Sequence, residues 1–314
     1  MISFLVRRVA IGILTLWFIT VAMFALLSAA PGGPAAIMNM SSTASSRQAL
    51  EKVYRLNDPA PVRYVRWLDS ALHGNLGTSY DFGQPVSDVI RQRLPNTAIL
   101  ALSAILLSVL VGVHLGCLAA LRRGSWIDAT ISAGATLGLS VPDFWLGTVL
   151  IIVLAVTLHW LPASGMGGGG GNDTGGLLLH LIMPACVLAI VFVPNLVRFT
   201  RSSMLNVLGA DYIRTAHAKG LRRSKVFVKH AFRNALIPVL SLIGLLTAAL
   251  LGGSAIVESV FAWPGIGRLT VQAATNRDYP MIMGVTLLVS AIVIATNIIT
   301  DLLYAYLDPR VHYG

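Results

Sequence analysis

The stretch DYIRTAHAKGL, residues 211–221, is polar and basic and lies between two strongly apolar runs. Hydrophobic residues make up 55% of the 314-residue chain and charged residues only 11%, with a mean hydropathy of +0.75. A soluble domain carries about a quarter charged residues. The deficit and the long apolar runs place the chain in a bilayer, as an all-α membrane protein. There, a charged segment of this kind faces one aqueous side and meets either a soluble partner or anionic lipid.

Six apolar runs can cross about 30 Å of hydrocarbon at about 20 residues each. They are residues 9–30, 98–121, 129–158, 177–197, 235–257 and 281–306. The third is long and contains Pro142 and Asp143, so a kink, a tilt or a broken helix is expected there. The first run follows Arg7 and Arg8 and superficially resembles a signal peptide. It is longer than an h-region and reads as an uncleaved first span.

The net charge of +10 arises from residues clustered between the apolar runs, so it reports topology rather than nucleic-acid binding. With the N-terminus placed in the cytoplasm, 14 of the 23 basic residues fall inside, nine of them between Arg198 and Arg233. The outer loops 160–176 and 258–280 hold only Arg268 and Arg277. The other seven lie in residues 31–97, and long segments cross largely regardless of charge. Both termini are therefore expected in the cytoplasm. The expected organisation is an N-terminus and first span (1–30), an extracytoplasmic segment between helices 1 and 2 (31–97), a five-helix transmembrane core (98–307) that includes a cytoplasmic segment (198–233), and a cytoplasmic tail (308–314).

In the outer segment, residues 45–55 read as a short helix broken at Asn57-Asp58-Pro59. Residues 61–73 read as another, with Val62, Val65, Leu68 and Leu72 on one face. The segment fits either a plug packed on the core or a docking surface for an external protein. Gly167–Gly171 has no Lys-Ser/Thr after it and no strand before it, and it reads as a linker. No G-x-x-x-x-G-K-[ST] occurs anywhere, so energy for any pumping comes from another subunit or an ion gradient.

Cys117 and Cys186 fall inside apolar runs and read as small hydrophobes. His217 and His230 have no third ligand nearby to make a metal site, and no nucleophile elbow is present. The pairs Gly112-x-x-x-Gly116 and Gly134-x-x-x-Gly138 permit close helix packing. Ionisable groups in or near the spans are His114, Asp143, Glu258 and Asp301; burial cost makes such groups pathway candidates, and Glu258 and Asp301 lie where a side chain can snorkel.

The cytoplasmic segment contains a helical pattern over residues 205–219, with Leu205, Leu208, Tyr212 and Thr215 at helical spacing and Gly220 as a left-handed stop. A second short helix, 224–232, would turn back to the membrane. Such a pair is a lever that a groove on a soluble partner can grip, or a surface helix on lipid.

Arg214–Gly220 resembles the EAA-type loop of inner-membrane permeases of binding-protein-dependent ABC importers. Arg214 stands where Glu is typical, Thr215 and Ala216 follow, and Gly220 is in register. Arg233 stands where the common form has a proline, and the nearest proline is Pro238 in RNALIP. That pattern is similar to the dipeptide/oligopeptide/nickel branch. Further similar landmarks are PGGPA (31–35), HGNLGTS (73–79), RLPNT (91–97), SVPDFWLG (140–147), LPASG (161–165), VESVFAWPGIGRL (257–269), RDYP (277–280) and DPRV (308–311). Gly33 and Asn75 replace a common Asp in two of them. Order and spacing match the first permease type of the pair.

The resemblance implies a six-helix type I ABC importer permease fold in a bacterial cell membrane. It implies a second homologous permease, two cytoplasmic ATPases and an extracytoplasmic solute-binding protein as partners. ATP and Mg would sit on the ATPases, with no cofactor in this chain. It makes Asp211, Arg214, Thr215, Ala216, Gly220 and Leu221 the ATPase-coupling residues, and it implies a peptide as solute. Nickel, haem or glutathione in the same architecture, and an ion-coupled secondary transporter, are the alternatives.

Overall fold

The computed structural model describes residues 2–30, 58–167, 174–222 and 225–307. The expected helix at 45–55, the landmarks at 31–35 and 308–311, and residues 168–171 of the glycine run lie outside them. Among the described residues the chain is helical, and Thr78 and Pro85 make one isolated antiparallel bridge.

In chain order, α1 (Ile2–Ala29) is followed by a short α2 (Ala60–Leu72) and a long α3 (Val86–Leu121). The third apolar run forms α4 (Trp126–Ser140) and α5 (Asp143–Leu150), which continues as a π-helical segment over Ile151–Thr157. Then come α6 (Thr174–Leu208), α7 (Asp211–Ala218), a second π-helical segment over Val226–Phe232, and α8 (Arg233–Gly253). Short helices α9 (Ala255–Val260) and α10 (Ile266–Thr275) precede α11 (Tyr279–Leu307).

α1, α3, α6 and α11 are each long and apolar enough to cross a membrane, and two bent pairs bring the number to six if each pair is one span. The third run is broken by 98° between α4 and α5. Pro142 is the cause: it removes a backbone donor and pushes Val141 into the extended region, at φ −93° and ψ 121°. The π-helical segment at 226 and α8 are bent by 44° at Pro238. Residues 225–232 therefore form the first turns of the fifth span rather than a separate helix, and Ser224 lies outside the described residues. That span also stops earlier than expected, at Gly253, and the chain turns at Ser254 into α9. Residues 86–97, read from the sequence as outer segment, are helical and continuous with the second span.

One compact unit comprises residues 1–97 and 264–294. Val86, Val89 and Ile90 of α3 pack with Ile266, Leu269 and Ala273 of α10 and Met281 and Val285 of α11. Asp278, fully buried, caps α11: its carboxylate accepts the Met281 N–H at 3.2 Å, the Asp81 N–H at 3.2 Å and the Ser79 hydroxyl. Thr97 Oγ1 accepts the Ile266 N–H at 2.7 Å, and the Asn96 amide donates to the Pro264 carbonyl at 2.8 Å. Sequence landmarks about 170 to 200 residues apart thus bond directly, HGNLGTS with RDYP and RLPNT with WPGIG.

α2 forms as expected, but its packed face does not follow the apolar pattern. Tyr64 places its hydroxyl 3.0 Å from Thr20 Oγ1 and its ring edge-on to Phe24, and Arg63 donates to Ser28 at 3.2 Å. These bonds tie α2 to the first span through hydroxyls of α1, of which Thr20 also donates to the Trp17 carbonyl at 2.8 Å. Val62, Val65 and Leu72 are consequently turned outward, 47%, 64% and 78% exposed.

The other unit comprises residues 98–263 and 295–314 and holds two apolar cores. One gathers Leu100 and Ala104 of α3, Met183 and Val187 of α6, Leu250 of α8, and Phe261 and Trp263. The second gathers Val113 and Cys117 of α3, Leu196 and Met204 of α6, Ile213 and Ala216 of α7, and Val226, Ala231, Ala235 and Val239. Between α3 and α6 the backbones approach closely. A Cβ added at Gly112 would lie 2.6 Å from Leu196 Cβ, and one at Gly116 would lie 2.8 Å from the Val197 carbonyl oxygen. The first glycine pair therefore packs helices within this chain. At Gly134 nothing lies within 4 Å of an added Cβ.

Gly116→Leu is expected to force α3 from α6 at a cost of about 1–3 kcal/mol or more, because a carbonyl cannot move aside as a side chain can. Gly134→Ala should change nothing by comparison. Thermal melting of the two purified variants checks the contrast. Asp278→Ala strands one hydroxyl and two backbone N–H groups and should destabilise by about 1–3 kcal/mol, read as a lowered melting temperature.

Candidate coupling surface and polar groove

The helix expected over residues 205–219 is divided. α6 ends at Leu208, and Gly209 and Ala210 close it with bonds from Gly209 N–H to Leu205 and from Ala210 N–H to Val207. Gly209 is a poor helix former, and Asp211 opens the next helix with a negative charge at its positive end. α7 is thereby free to take a direction different from α6.

α7 has two faces. Ile213 and Ala216, three residues apart, are 2% and 8% exposed and sit in the second core. Asp211, Tyr212, Arg214 and Thr215 are exposed. Arg214 lies 3.6 Å from Asp211, a solvent-exposed pair that adds little stability. The Thr215 hydroxyl donates to the Asp211 carbonyl at 3.0 Å. At the C-terminal end, Leu221 N–H donates to the Ala216 carbonyl and Gly220 has φ +73°. This is a Schellman stop, completed by Leu221 packing on the core that holds Ala216. All six residues expected to couple, Asp211, Arg214, Thr215, Ala216, Gly220 and Leu221, are thus gathered on one short helix and its terminal turn. Tyr212 accepts a hydrogen bond from Asn234 at 3.3 Å, which ties the same helix to α8.

The four ionisable candidates in or near the spans are scattered over four helices. His114 on α3 is exposed, with Nδ1 2.6 Å from the Leu110 carbonyl oxygen. Asp143 is half-buried at the start of α5 and accepts the Phe144 N–H at 2.8 Å. Glu258 does not snorkel: it is fully buried in α9, where the Ser254 hydroxyl donates to its carboxylate at 3.0 Å. Asp301 is half-buried in α11.

A different set of polar residues shares one groove. On α4, Asp128, Ser132, Thr136 and Ser140 recur every four residues. Ser132 reaches the Asp128 carboxylate at 3.5 Å, Thr136 donates to the Ser132 carbonyl at 3.0 Å, and Ser140 donates to the Thr136 carbonyl at 3.2 Å. On α6, Asn195, Arg198 and Ser202 follow at spacings of three and four. Ser132, Thr136, Asn195, Arg198 and Ser202 line an open groove of about 570 Å³. His114, Asp143 and Glu258 are not on it. Polar faces on membrane helices point to a bundle interior or a water-filled cavity.

One end of the groove is closed by an ion pair that the sequence did not single out. Arg201 donates to both Asp128 oxygens, from Nε at 2.6 Å and Nη2 at 2.8 Å. Asp128 is only 5% exposed and also accepts the Gly124 N–H at 3.0 Å, while the Ser125 hydroxyl receives the Asp128 N–H at 3.4 Å. Ser125 caps α4 through the Asp128 N–H while Asp128 reaches back to the Gly124 N–H, and Ser-x-x-Asp is a helix-start signal present in the sequence.

Comparison with known proteins is consistent along the whole chain. Residues 112–313 match the family described as binding-protein-dependent transport system inner membrane component, and residues 1–101 match the N-terminal part of such membrane components. The oligopeptide transport system permease protein AppB of Bacillus subtilis is 43% identical over 317 residues, covering 100% of both chains. A putative peptide permease protein of Brucella suis is 41% identical over 316 residues, covering 99% of both. Two inward-facing crystal forms of the MetNI methionine ABC transporter share the fold, with TM-scores of 0.55 and 0.56 at 17% and 19% identity. Each likeness covers 70% of this chain and 96% of the solved one. The chain therefore has the type I importer permease fold and belongs to the family of binding-protein-dependent transport system inner membrane components, the multi-pass permease subunits of ABC importers.

Proposed function

We propose that this chain forms half of the translocation path of an ATP-driven importer of dipeptides or oligopeptides, and that α7 is where an ATPase grips it. The observation that carries the reading is the two-sidedness of α7. Ile213 and Ala216 are held in one core with α3, α6 and α8, while Asp211, Arg214 and Thr215 face outward. A partner that moves the outward face moves the helices behind it. The family's dependence on a binding protein, and the peptide-permease names of its full-length relatives, support the solute class and the partners. Those partners are a second, homologous permease, two cytoplasmic ATPases that hold ATP and Mg, and an extracytoplasmic binding protein. The clustering of basic residues supports cytoplasmic termini and a bacterial cell membrane as the location. The polar groove between α4 and α6 is this chain's share of the path.

Gly220 tests the coupling role. An added Cβ there meets nothing within 4 Å, but its φ of +73° disfavours any L side chain. Gly220→Val should cost about 1–2 kcal/mol locally and displace the terminal turn of α7. In proteoliposomes with binding protein and ATPases, peptide-stimulated ATP hydrolysis should fall several-fold while assembly is retained. Unchanged coupling removes α7 from the role, and peptide uptake driven by an ion gradient without ATP removes the importer reading altogether. Arg198→Gln with Asn195→Leu should lower peptide uptake per ATP hydrolysed and leave basal hydrolysis intact; unaltered uptake places the path elsewhere.

A further inference from the structure

Within the unit formed by residues 1–97 and 264–294 there is a cavity of about 270 Å³ that plays no part in the reading above. Its walls are mostly apolar, from Phe24 and Leu27 at the end of α1, Leu76, and Met283 of α11. Four polar side chains of α2, Arg63, Arg66, Trp67 and Ser70, line it as well, and two of them matter here: Arg63 and Trp67. Both carry a buried donor without an acceptor: Arg63 Nε and Trp67 Nε1. Buried donors are nearly always paired, so two orphans beside one cavity call for an acceptor that enters it. Arg63 gives one N–H to Ser28 and lies over the Phe24 ring at 5.7 Å, but pairs with no described carboxylate, whereas Arg66 is paired with Asp58 at 2.9 Å. The missing partner is therefore an anion or a strongly polar oxygen.

The position of the cavity says which anion. The apolar stretch of α1 runs from Leu5 to Ala29, and Leu27 and Ser28 are its last turn. The cavity lies where hydrocarbon gives way to headgroups, the level at which Trp and Tyr side chains concentrate. Around it the surface is apolar: Leu26 of α1 is 68% exposed, and α2 turns Val62 and Val65 outward at 47% and 64%. A molecule that is apolar at one end, carries a charged oxygen at the other and is always present at this depth is a membrane phospholipid.

We propose that the cavity between α1, α2 and α11 holds a bilayer glycerophospholipid, its phosphodiester accepting from Arg63 and Trp67 and one acyl chain lying against Phe24, Leu27 and Met283. The lipid then wedges α2 onto the first span. It supplies the acceptors that the described residues lack, and it accounts for α2 packing through its polar side.

The test uses the assembled importer purified in mild detergent. Native mass spectrometry is expected to find one phospholipid retained on this subunit. Trp67→Phe, which keeps an aromatic ring of smaller size and removes the donor, and Arg63→Gln should each reduce retention by about tenfold, the loss expected for a hydrogen bond to a charged group. Arg63→Lys should preserve most of it. Because Arg63→Lys keeps a charged donor at the same place, a loss of lipid in Arg63→Gln that Arg63→Lys spares is not explained by a change in folding. A photocrosslinker at Leu76 should label lipid. Equal lipid retention in wild type and both donor variants overturns the proposal. So does labelling of a protein chain from Leu76, which makes the cavity a docking site for the external binding protein.

Discussion

The place of α7 depends on α3 and α6 touching along their backbones at Gly112 and Gly116. Lipid tails are as apolar as leucine, so no hydrophobic force drives two membrane helices together, and packing must do so. Without Cβ atoms at these positions, Leu196 and Thr200 of α6 sit directly on the α3 backbone. The close approach sets the spacing of the walls above and below it. Val113 and Cys117 on one side and Leu196 and Met204 on the other leave room for small and medium side chains only. Ile213 and Ala216 of α7 fill that room together with Ala231, Ala235 and Val239. A short helix of eight residues would not be stable alone; its place is fixed by what it inserts into.

Among the described residues the buried carboxylates Asp128, Glu258 and Asp278 lie at helix starts, where backbone groups lack partners. Asp278 satisfies donors at the start of α11 and in the turn after Ser79. Thr97 supplies the acceptor for the first N–H of α10. Asp128 closes the turn before α4 and holds Arg201. The same rule explains the break at Pro142, where donors are lost and the chain exits the helix rather than leave carbonyls unpaired in lipid.

How much of this could be read from the sequence follows from how local each cause is. Hydropathy marked the spans because crossing a bilayer needs a fixed length of apolar chain. Pro142 and Gly220 announced a break and a stop because their constraints are intrinsic to the residue, and Gly112 and Gly116 announced close packing for the same reason. The break at Gly209 was missed because Leu205, Leu208 and Tyr212 keep helical spacing across it, and periodicity cannot see a change of direction. The packed face of α2 was misread because hydroxyls on α1, far away in the chain, decided it. Glu258 was taken for a snorkelling residue because the span was extended through Ser254, where the chain turns inward. Arg201 was counted only among the basic residues expected on the cytoplasmic side because its partner Asp128 is 73 residues away. The groove was overlooked because each serine or threonine in a span satisfies itself on its own helix, and only the alignment of two stripes shows a shared surface. Resemblance to a family singled out six residues for a coupling role, while the physics of the segment left a partner groove and lipid equally open.

The ion pair between Arg201 and Asp128 joins these parts mechanically. Arg201 lies seven residues before the end of α6, and α7 follows after a two-residue turn. Asp128 is in the first turn of α4, on the stripe that continues through Ser132 and Thr136 into the groove. A pair held by two parallel hydrogen bonds resists rotation as well as separation, as a single contact does not. α6 therefore cannot turn about its axis without carrying the base of α4. Ile213 and Ala216 impose the corresponding constraint between α7 and α6. On the proposed reading, a force applied to the exposed face of α7 reaches both walls of the groove through one packed contact and one bidentate bond, and the groove opens or closes as a unit.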